Sequence, residues 1–215
     1  MGRIEVGAMS RHHVHLFVFD TMADWEPAFA VAGINNPQFQ KQPGRFRVIT
    51  VAESQKLVTT IGGLRIVPDM VLAELDPDAS SLLILPGGQR WESGGSAAAI
   101  EKARLFLEAG VPVAAICAAT LALARAGLLD GRRHTSNARE YIARSGYRGG
   151  RFYCDAPAVR DSNLITASGI SPIDFAREIF SILNLYDPAA LDAWYALFKH
   201  ADASKNFELA SGAAH

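Results

Sequence analysis

The chain has 215 residues, of which 49% are hydrophobic and 20% are charged, and its formal net charge is −1 at pH 7. This composition is typical of one globular domain with a sizeable core, and the balanced charge excludes a strongly basic surface for nucleic acid or anionic lipid. The longest uncharged apolar stretch, residues 111–124, is too short to span a bilayer. Because the N-terminus also lacks the apolar run of a signal peptide, we expect a cytoplasmic protein with no membrane or nucleic-acid partner.

Turn signals and apolar runs divide the first half of the chain into alternating elements. Pro27 suits the first turn of a helix, where its missing N–H costs nothing. The predicted elements are a strand over residues 15–20, a helix over 27–32, a strand over 45–51, a hairpin of 57–60 with 64–67, and a strand over 81–85.

The second half continues the alternation. The predicted elements are a helix over 97–109, a strand over 113–116, a helix over 118–126, weaker strands over 132–136 and 158–160, a strand over 164–168, helices over 172–185 and 188–199, and a frayed tail over 201–215. Strands that alternate with helices predict a mostly parallel sheet with both faces covered. The continuous apolar strand over 113–116 fits that burial.

The chain has two cysteines, Cys117 and Cys154, too few for a disulfide framework. We therefore predict two free thiols. His12, His13 and His15 lie close together near the N-terminus, but their spacing fits no common metal site. The sequence predicts neither a metal nor another cofactor.

Cys117 follows the apolar strand directly and precedes an alanine-rich helix. This is the arrangement of a nucleophile elbow, in which the reactive residue lies on a strained turn above the sheet. Ala115, Ala118 and Ala119 are small enough for strand and helix to pack closely. The N-terminus of the helix favours the thiolate form. The alternative is a buried structural cysteine, since free cysteines are often buried.

The strand over 81–85 ends in Pro86, Gly87 and Gly88. In a doubly wound sheet, chemistry gathers at the carboxyl ends of the strands, so this turn should face the sulfur. We predict that the backbone N–H groups of Gly88 and Ala118 bind a developing oxyanion and that Gly87 lines the pocket. Trp91 either forms a wall of the pocket or packs in the core.

Three segments together resemble the ThiJ/PfpI family, the superfamily of the Parkinson-disease protein and of class I glutamine amidotransferase-like folds. They are LLILPGG at 82–88, AAICAATLALARAGLLDGRRHTSN at 114–137 and NLITASG at 163–169. The resemblance covers roughly residues 14–185 and implies an α/β, flavodoxin-like three-layer sandwich with a mostly parallel central sheet. It also implies a homodimer and a cysteine on the elbow. We expect residues 186–215 to form a helical extension and tail.

The family places a glutamate just after the first strand, beside the thiol, and Glu26 matches that position. A protonated carboxyl that donates to the sulfur would stabilise the thiolate, whereas an ionised one would repel it. The alternative for Glu26 is an ordinary acid in the first turn of a helix, favoured by the helix dipole.

The chain departs from the family pattern at the histidine. Family peptidases carry a histidine immediately after the cysteine, where this chain has Ala118, and other members carry one at the position that matches Asn137. Strand alternation would place nearby His134 on the opposite face. The family's hydratases use an aspartate and a threonine where this chain has Glu26 and Ala118, and the late histidine–glutamate pair of the amidotransferases matches only residues 168–172. Cys–His peptidase and amidotransferase activities are therefore disfavoured.

These observations leave several functions open. The first is an enzyme in which Cys117 attacks a small carbonyl, amide or related electrophile, Glu26 moves a proton, and Ser136 and Asn137 line the site as hydrogen-bond donors. The second is a redox or stress sensor, in which an oxidant converts Cys117 to a sulfinate held by Glu26. A ligand-sensing module of a transcription regulator is a third class, but the helices after residue 185 are barely basic. Cys154 is predicted to be structural.

The predicted helix over 188–199 carries Trp194, Tyr195 and Phe198. Apolar aromatic residues near a surface need cover from another element or another chain. With the family resemblance, they predict a homodimer.

Overall fold

The computed structural model describes residues 12–206 and Leu209. Predictions for the first eleven residues and for most of the end of the tail lie outside the described residues. The strands are β1 (His12–Phe17), β2 (Phe46–Ala52), β3 (Val58–Thr59), β4 (Arg65–Ile66), β5 (Met70–Val71), β6 (Ser80–Leu85), β7 (Val113–Ile116), β8 (Ala158–Asp161) and β9 (Leu164–Ala167). The α-helices are α1 (Trp25–Asn35), α2 (Gln89–Glu92), α3 (Ala97–Glu108), α4 (Ala118–Arg125), α5 (Arg139–Ala143), α6 (Pro172–Ile182) and α7 (Pro188–Lys199).

Seven strands form one sheet in the order β5-β2-β1-β6-β7-β9-β8, and β3 pairs with β4 in a separate hairpin. Every neighbouring pair in the large sheet is parallel except β8 with β9. Its five central strands follow the 2-1-3-4-5 order of flavodoxin-like folds. The predicted α/β fold with a mostly parallel central sheet is confirmed.

Helices cover both faces of this sheet. Right-handed crossovers place α1, between β1 and β2, on one face and α3, between β6 and β7, on the other, because the chain moves across the sheet in opposite directions. Helix α6 packs against α1, and α7 packs against α6. Trp194 of α7 is buried, with its ring 4.9 Å from that of Phe180, whereas Phe198 stays 46% exposed. No helix that the structure describes is long and apolar enough to cross a membrane.

The register of the central strands brings three strand ends together. Leu85 of β6 pairs with Ala115 of β7, and Ile116 of β7 pairs with Ala167 of β9. All four residues of β7 are fully buried, as its continuous apolar sequence predicts. The turns that follow β6, β7 and β9 therefore lie side by side at one edge of the sheet.

The predicted strand over residues 132–136 is wrong. This segment is a loop in which only His134 forms an isolated bridge, with Tyr153, so no neighbouring strand offers it a ladder. The predicted helix over 172–185 ends at Ile182, and Asn184 then adopts a φ of 49°. Helix α1 begins two residues before Pro27, which still lies within the first turn, where a missing N–H is tolerated.

Candidate active site

Cys117 is the residue at which β7 turns into α4, and its backbone has φ 59° and ψ −127°. A positive φ is rare for residues other than glycine and costs on the order of 1–3 kcal/mol. Hydrogen bonds hold the turn in place. The Cys117 N–H donates to the Ala167 carbonyl at 3.0 Å, and the Thr120 hydroxyl donates to the Cys117 carbonyl at 2.6 Å. The chain thus has the geometry of a nucleophile elbow, with the half-buried sulfur at its apex.

Two glycines confine the side chain of Cys117. A Cβ atom on Gly169 would lie 2.8 Å from the sulfur, and a Cβ atom on Gly87 would lie 2.6 Å from the Cys117 Cβ. Real side chains do not approach that closely, so neither position has space for one. Glycine at both positions leaves room for the thiol and for one further group, the carboxyl of Glu26.

Glu26 is the second residue of α1 and is only 1% exposed. Its Oε2 accepts a hydrogen bond of 2.5 Å from the Gly87 N–H. Its Oε1 lies on the side of the sulfur, since the same Cβ atom on Gly169 would be 3.0 Å away from it. Among the described residues, no hydrogen-bond donor of normal geometry reaches Oε1. One carboxyl oxygen is therefore fixed and the other faces the thiol.

Burial sets the protonation of this pair. It raises the pKa of Glu26 to about 7, although the contacts with Cys117 and Gly87 lower it. Burial, followed by the charge of Glu26, raises the pKa of the Cys117 thiol. Donors from Asn137 and the Ala118 N–H lower that pKa but do not outweigh the other two causes. When Glu26 is ionised, its charge disfavours the thiolate that the helix N-terminus alone would favour, so the pair is a thiol beside a carboxylate.

The two predicted oxyanion donors, Ala118 and Gly88, and their neighbour Gly87 differ in what they contact. The Ala118 N–H lies close enough to the Cys117 sulfur to lower the pKa of the thiol. The Gly87 N–H is occupied by Glu26, and the Gly87 carbonyl accepts from the Ala23 N–H at 3.0 Å. Gly87 therefore holds the acid in place. At Gly88, a Cβ atom would lie 2.6 Å from the Thr21 carbonyl oxygen, so the chain requires glycine there.

Asn137 contacts the sulfur directly. Its Nδ2 donates to the Cys117 Sγ at 3.2 Å, and its Oδ1 accepts from the Gly169 N–H at 2.9 Å. Ser136 is buried, and its hydroxyl lies 2.7 Å from that of Thr120. Ser136 therefore supports the elbow through Thr120, which bonds to the Cys117 carbonyl. Trp91 is 1% exposed, and its Nε1 donates to the Pro86 carbonyl. Of the two alternatives for Trp91, the structure shows core packing, because its ring lies against Phe17 and Phe19.

No described histidine forms a hydrogen bond with Cys117. His134 is fully buried, with Nδ1 2.7 Å from the Arg132 carbonyl and Nε2 2.9 Å from the Tyr147 hydroxyl. Cys154 is half-buried and contacts the Phe152 carbonyl at 3.6 Å. The described part of the chain contains no group of three or more metal-ligating side chains that could hold a metal ion.

Four residues around the site, Gly169, Trp25, Tyr141 and Glu92, were not identified from the sequence. Gly169 packs against the sulfur, and its carbonyl accepts from the Trp25 indole at 3.1 Å. Its position at the end of the apolar strand β9 was the available signal. Tyr141 donates to Glu92 at 2.6 Å, and burial, the contact with Glu92 and the charge of Cys117 all raise its pKa. The Tyr141–Glu92 bond joins α5 to α2 near the thiol.

The sequence profile of the DJ-1/PfpI family matches residues 12–182. An uncharacterized protease of Bacillus subtilis named YoaZ is 41% identical over 204 residues, which are 94% of this chain and 97% of that protein. A deglycase of Pyrococcus abyssi is 31% identical over 121 residues, which are 56% of this chain and 72% of that protein. The crystal structure of a ThiJ/PfpI family protein from Bacillus anthracis is similar with a TM-score of 0.89 and 41% identity, over 95% of this chain and 98% of that one.

Proposed function

The chain belongs to the DJ-1/PfpI family, and from that premise we propose that it is a hydrolase- or lyase-like enzyme that attacks small carbonyl or amide electrophiles through Cys117. One observation carries the proposal. The free oxygen of the buried Glu26 carboxyl faces the thiol, inside a space walled by Gly87 and Gly169. A buried acid with a raised pKa beside a nucleophile is typical of a catalytic pair. The names protease and deglycase among the relatives agree with this class of reaction.

The proposed reaction starts from the thiol and the ionised carboxyl. As the sulfur bonds to the carbonyl carbon, the thiol proton passes to Glu26 and the carbonyl π electrons move to the oxygen. The N–H groups of Ala118 and Gly88 bind this oxyanion. Glu26 then returns its proton, either to the oxyanion of an aldehyde adduct or to the leaving amine of an amide. In the second case, water cleaves the resulting thioester and regenerates the thiol.

Glu26 alone takes the place of the histidine that other family members use. The pKa of about 7 suits both halves of this role, because a group that titrates near neutral pH accepts and returns a proton readily. Since no described histidine bonds to Cys117, we propose no Cys–His peptidase or amidotransferase chemistry. The proposed partners are a small-molecule substrate or oxidant and a second copy of the chain in a cytoplasmic homodimer, without a cofactor, nucleic acid or membrane.

A second candidate function is a redox sensor. Two equivalents of peroxide convert the thiol to a sulfinic acid and release two water molecules. Protonated Glu26 would donate from Oε1 to one sulfinate oxygen, and this alternative is favoured because no described residue forms a hydrogen bond with Oε1. It requires no turnover.

The experiment compares wild type, Cys117→Ser and Glu26→Gln. Each protein is incubated with small aldehydes and activated esters to measure turnover, and separately with dilute peroxide to map the oxidation of both cysteines by mass spectrometry. Turnover that is lost in both variants supports the enzyme. Absence of turnover with selective sulfinate formation at Cys117 supports the sensor instead. Equal oxidation of Cys117 and Cys154 with no turnover would contradict both.

A further inference from the structure

A cavity of about 270 Å³ lies beside the thiol, between the loop that carries Asn137, the segment that precedes β8 and the turn that follows β9. Asn137 belongs to both places, since its side chain lines the cavity and donates to the Cys117 sulfur. Nothing in the proposed reaction uses this space. Its position, one side chain away from the nucleophile, suits a subsite for the non-reacting part of a substrate.

Three of the hydroxyl groups around the cavity have no hydrogen-bond partner among the described residues, whereas the hydroxyls of Thr135 and Ser136 are bonded. Ser168, Ser171 and Tyr153 are each buried to 9% exposure or less. Their hydroxyls form no hydrogen bond with any described residue, although other buried hydroxyls of the site, such as that of Thr120, are bonded. The hydroxyl oxygens stay open to the cavity, because the buried side-chain atoms without a partner among the described residues are His15 Nδ1 and Glu26 Oε1. These three therefore have unused capacity for a ligand.

Asp155 gives the cavity its charge. It is the single charged side chain of the lining, and within the described part of the chain it forms neither an ion pair nor a hydrogen bond. Arg139 lies over the Tyr153 ring at 4.6 Å, but its guanidinium donates to the carbonyls of Gly150 and Tyr153. The cavity thus offers one carboxylate and several hydroxyl oxygens, which all accept hydrogen bonds from an ammonium group.

We propose that this cavity is a substrate subsite for a primary ammonium group, held by Asp155 with the hydroxyls of Ser168 and Ser171. The exposed side chain of Ile170 and the ring of Pro157 would contact the methylene groups that carry the ammonium. This inference rests on the proposed function and specifies its substrate class. The substrate is an amine-bearing electrophile whose reactive carbon reaches Cys117 past Asn137.

Two measurements test the subsite separately from the chemistry. The first follows amide chemical shifts of the protein during titration with propylammonium chloride, with 1-propanol and sodium chloride as controls. We expect saturable shifts at residues 155 and 168–171 with propylammonium alone, and their loss in Asp155→Asn. The second compares alkylation of Cys117 by 2-bromoethylamine and by neutral iodoacetamide, each normalised to a free cysteine peptide and mapped separately from Cys154.

We expect the normalised rate at Cys117 to be about threefold to tenfold higher with 2-bromoethylamine than with iodoacetamide. Asp155→Asn should remove this preference, and Ser171→Ala should reduce it. The matched control is Asp78→Asn. Asp78 is another exposed aspartate, and it lies just before β6 begins, at the opposite edge of the sheet from the carboxyl ends of the strands. Saturable shifts with unreactive Cys117 would support the subsite and contradict the proposed function. The subsite alone would be overturned if Cys117 reacts, propylammonium causes no chemical-shift changes, and the ratio of the two alkylation rates is the same in wild type and in Asp155→Asn.

Discussion

The carboxyl of Glu26 accepts a hydrogen bond of 2.5 Å from the Gly87 N–H. This bond joins the start of α1 to the turn after β6, and it leaves the other oxygen of the carboxyl facing the Cys117 thiol. One oxygen of the acid is therefore held by a backbone group, the Gly87 N–H. A partner that is fixed in advance loses little entropy when the thiol reacts.

Glu26→Gln should change the pH dependence of stability. Folding raises the pKa of Glu26 from 4.5 to about 7, so the folded state binds more protons than the unfolded state between these values. The stabilisation of the folded state by protonated Glu26 is fully present below pH 4.5 and is lost as the pH rises through 7. We expect Glu26→Gln to match wild type near pH 4 and to exceed it near pH 8 by up to about 3 kcal/mol.

The measurement is urea unfolding of both proteins across this range. Burial lowers the pKa of His15 to about 4, which makes the folded state more stable as the pH rises from 4 to 6.5, but this effect is common to both proteins and cancels in their difference. A difference in stability that is constant from pH 4 to pH 8 would contradict the raised pKa of Glu26.

Gly169→Ala should disrupt the site by steric overlap. The new Cβ atom would lie 2.8 Å from the sulfur and 3.0 Å from the Glu26 carboxyl. We expect a loss of about 1–3 kcal/mol of stability and slower alkylation of Cys117, measured by thermal unfolding and by mass spectrometry. Gly131→Ala is the matched control, because nothing lies within 4 Å of a Cβ atom there. Equal behaviour of the two variants would show that the space around the sulfur is not restricted.

Asn137→Ala removes a donor to the sulfur. A hydrogen bond to a charged group contributes about 1.5–3 kcal/mol when buried and less when exposed, so the pKa of Cys117 should rise by about one pH unit. Asn137→Asp keeps an acceptor for the Gly169 N–H but adds a negative charge, and it should raise this pKa further. The pKa is measured from the ultraviolet absorbance of the thiolate, with Cys154→Ser as background. A pKa that neither variant changes would exclude Asn137 from the site.

Local sequence predicted the elbow well because strand, turn and helix are adjacent in the chain. The apolar run of β7 and the small residues after Cys117 carry that information within a few positions. Glu26 was identified only through the family resemblance, since its local sequence indicates an ordinary acidic residue in the first turn of a helix. The bond between Asn137 and Gly169 joins positions 32 residues apart, and no local pattern encodes it.

Other features could not be predicted, either because the elements are short or because their contacts join distant parts of the chain. Helix α5 has five residues and β5 has two, too few for a hydrophobic period to be visible. The loop around His134 has a strand-like composition, but the His134 N–H donates to the Phe152 carbonyl and the His134 carbonyl accepts from the Cys154 N–H, and both partners are distant in sequence. The unpartnered hydroxyls near Asp155 depend on which groups remain without bonds after folding, and composition does not reveal that.

The most direct test of the Cys117–Glu26 pair is the rate of Cys117 alkylation by iodoacetamide from pH 5 to pH 10, in wild type and in Glu26→Gln. If the pair exchanges a proton, the reactive form is the thiolate beside protonated Glu26, and its population rises as the first proton leaves the pair. We predict a wild-type rate that rises through pH 7 and then stays level up to pH 10, because burial and the charge of Glu26 raise the pKa for loss of the second proton above this range. Glu26→Gln should show one rise, set by the thiol alone. The same single rise in both proteins would contradict the account.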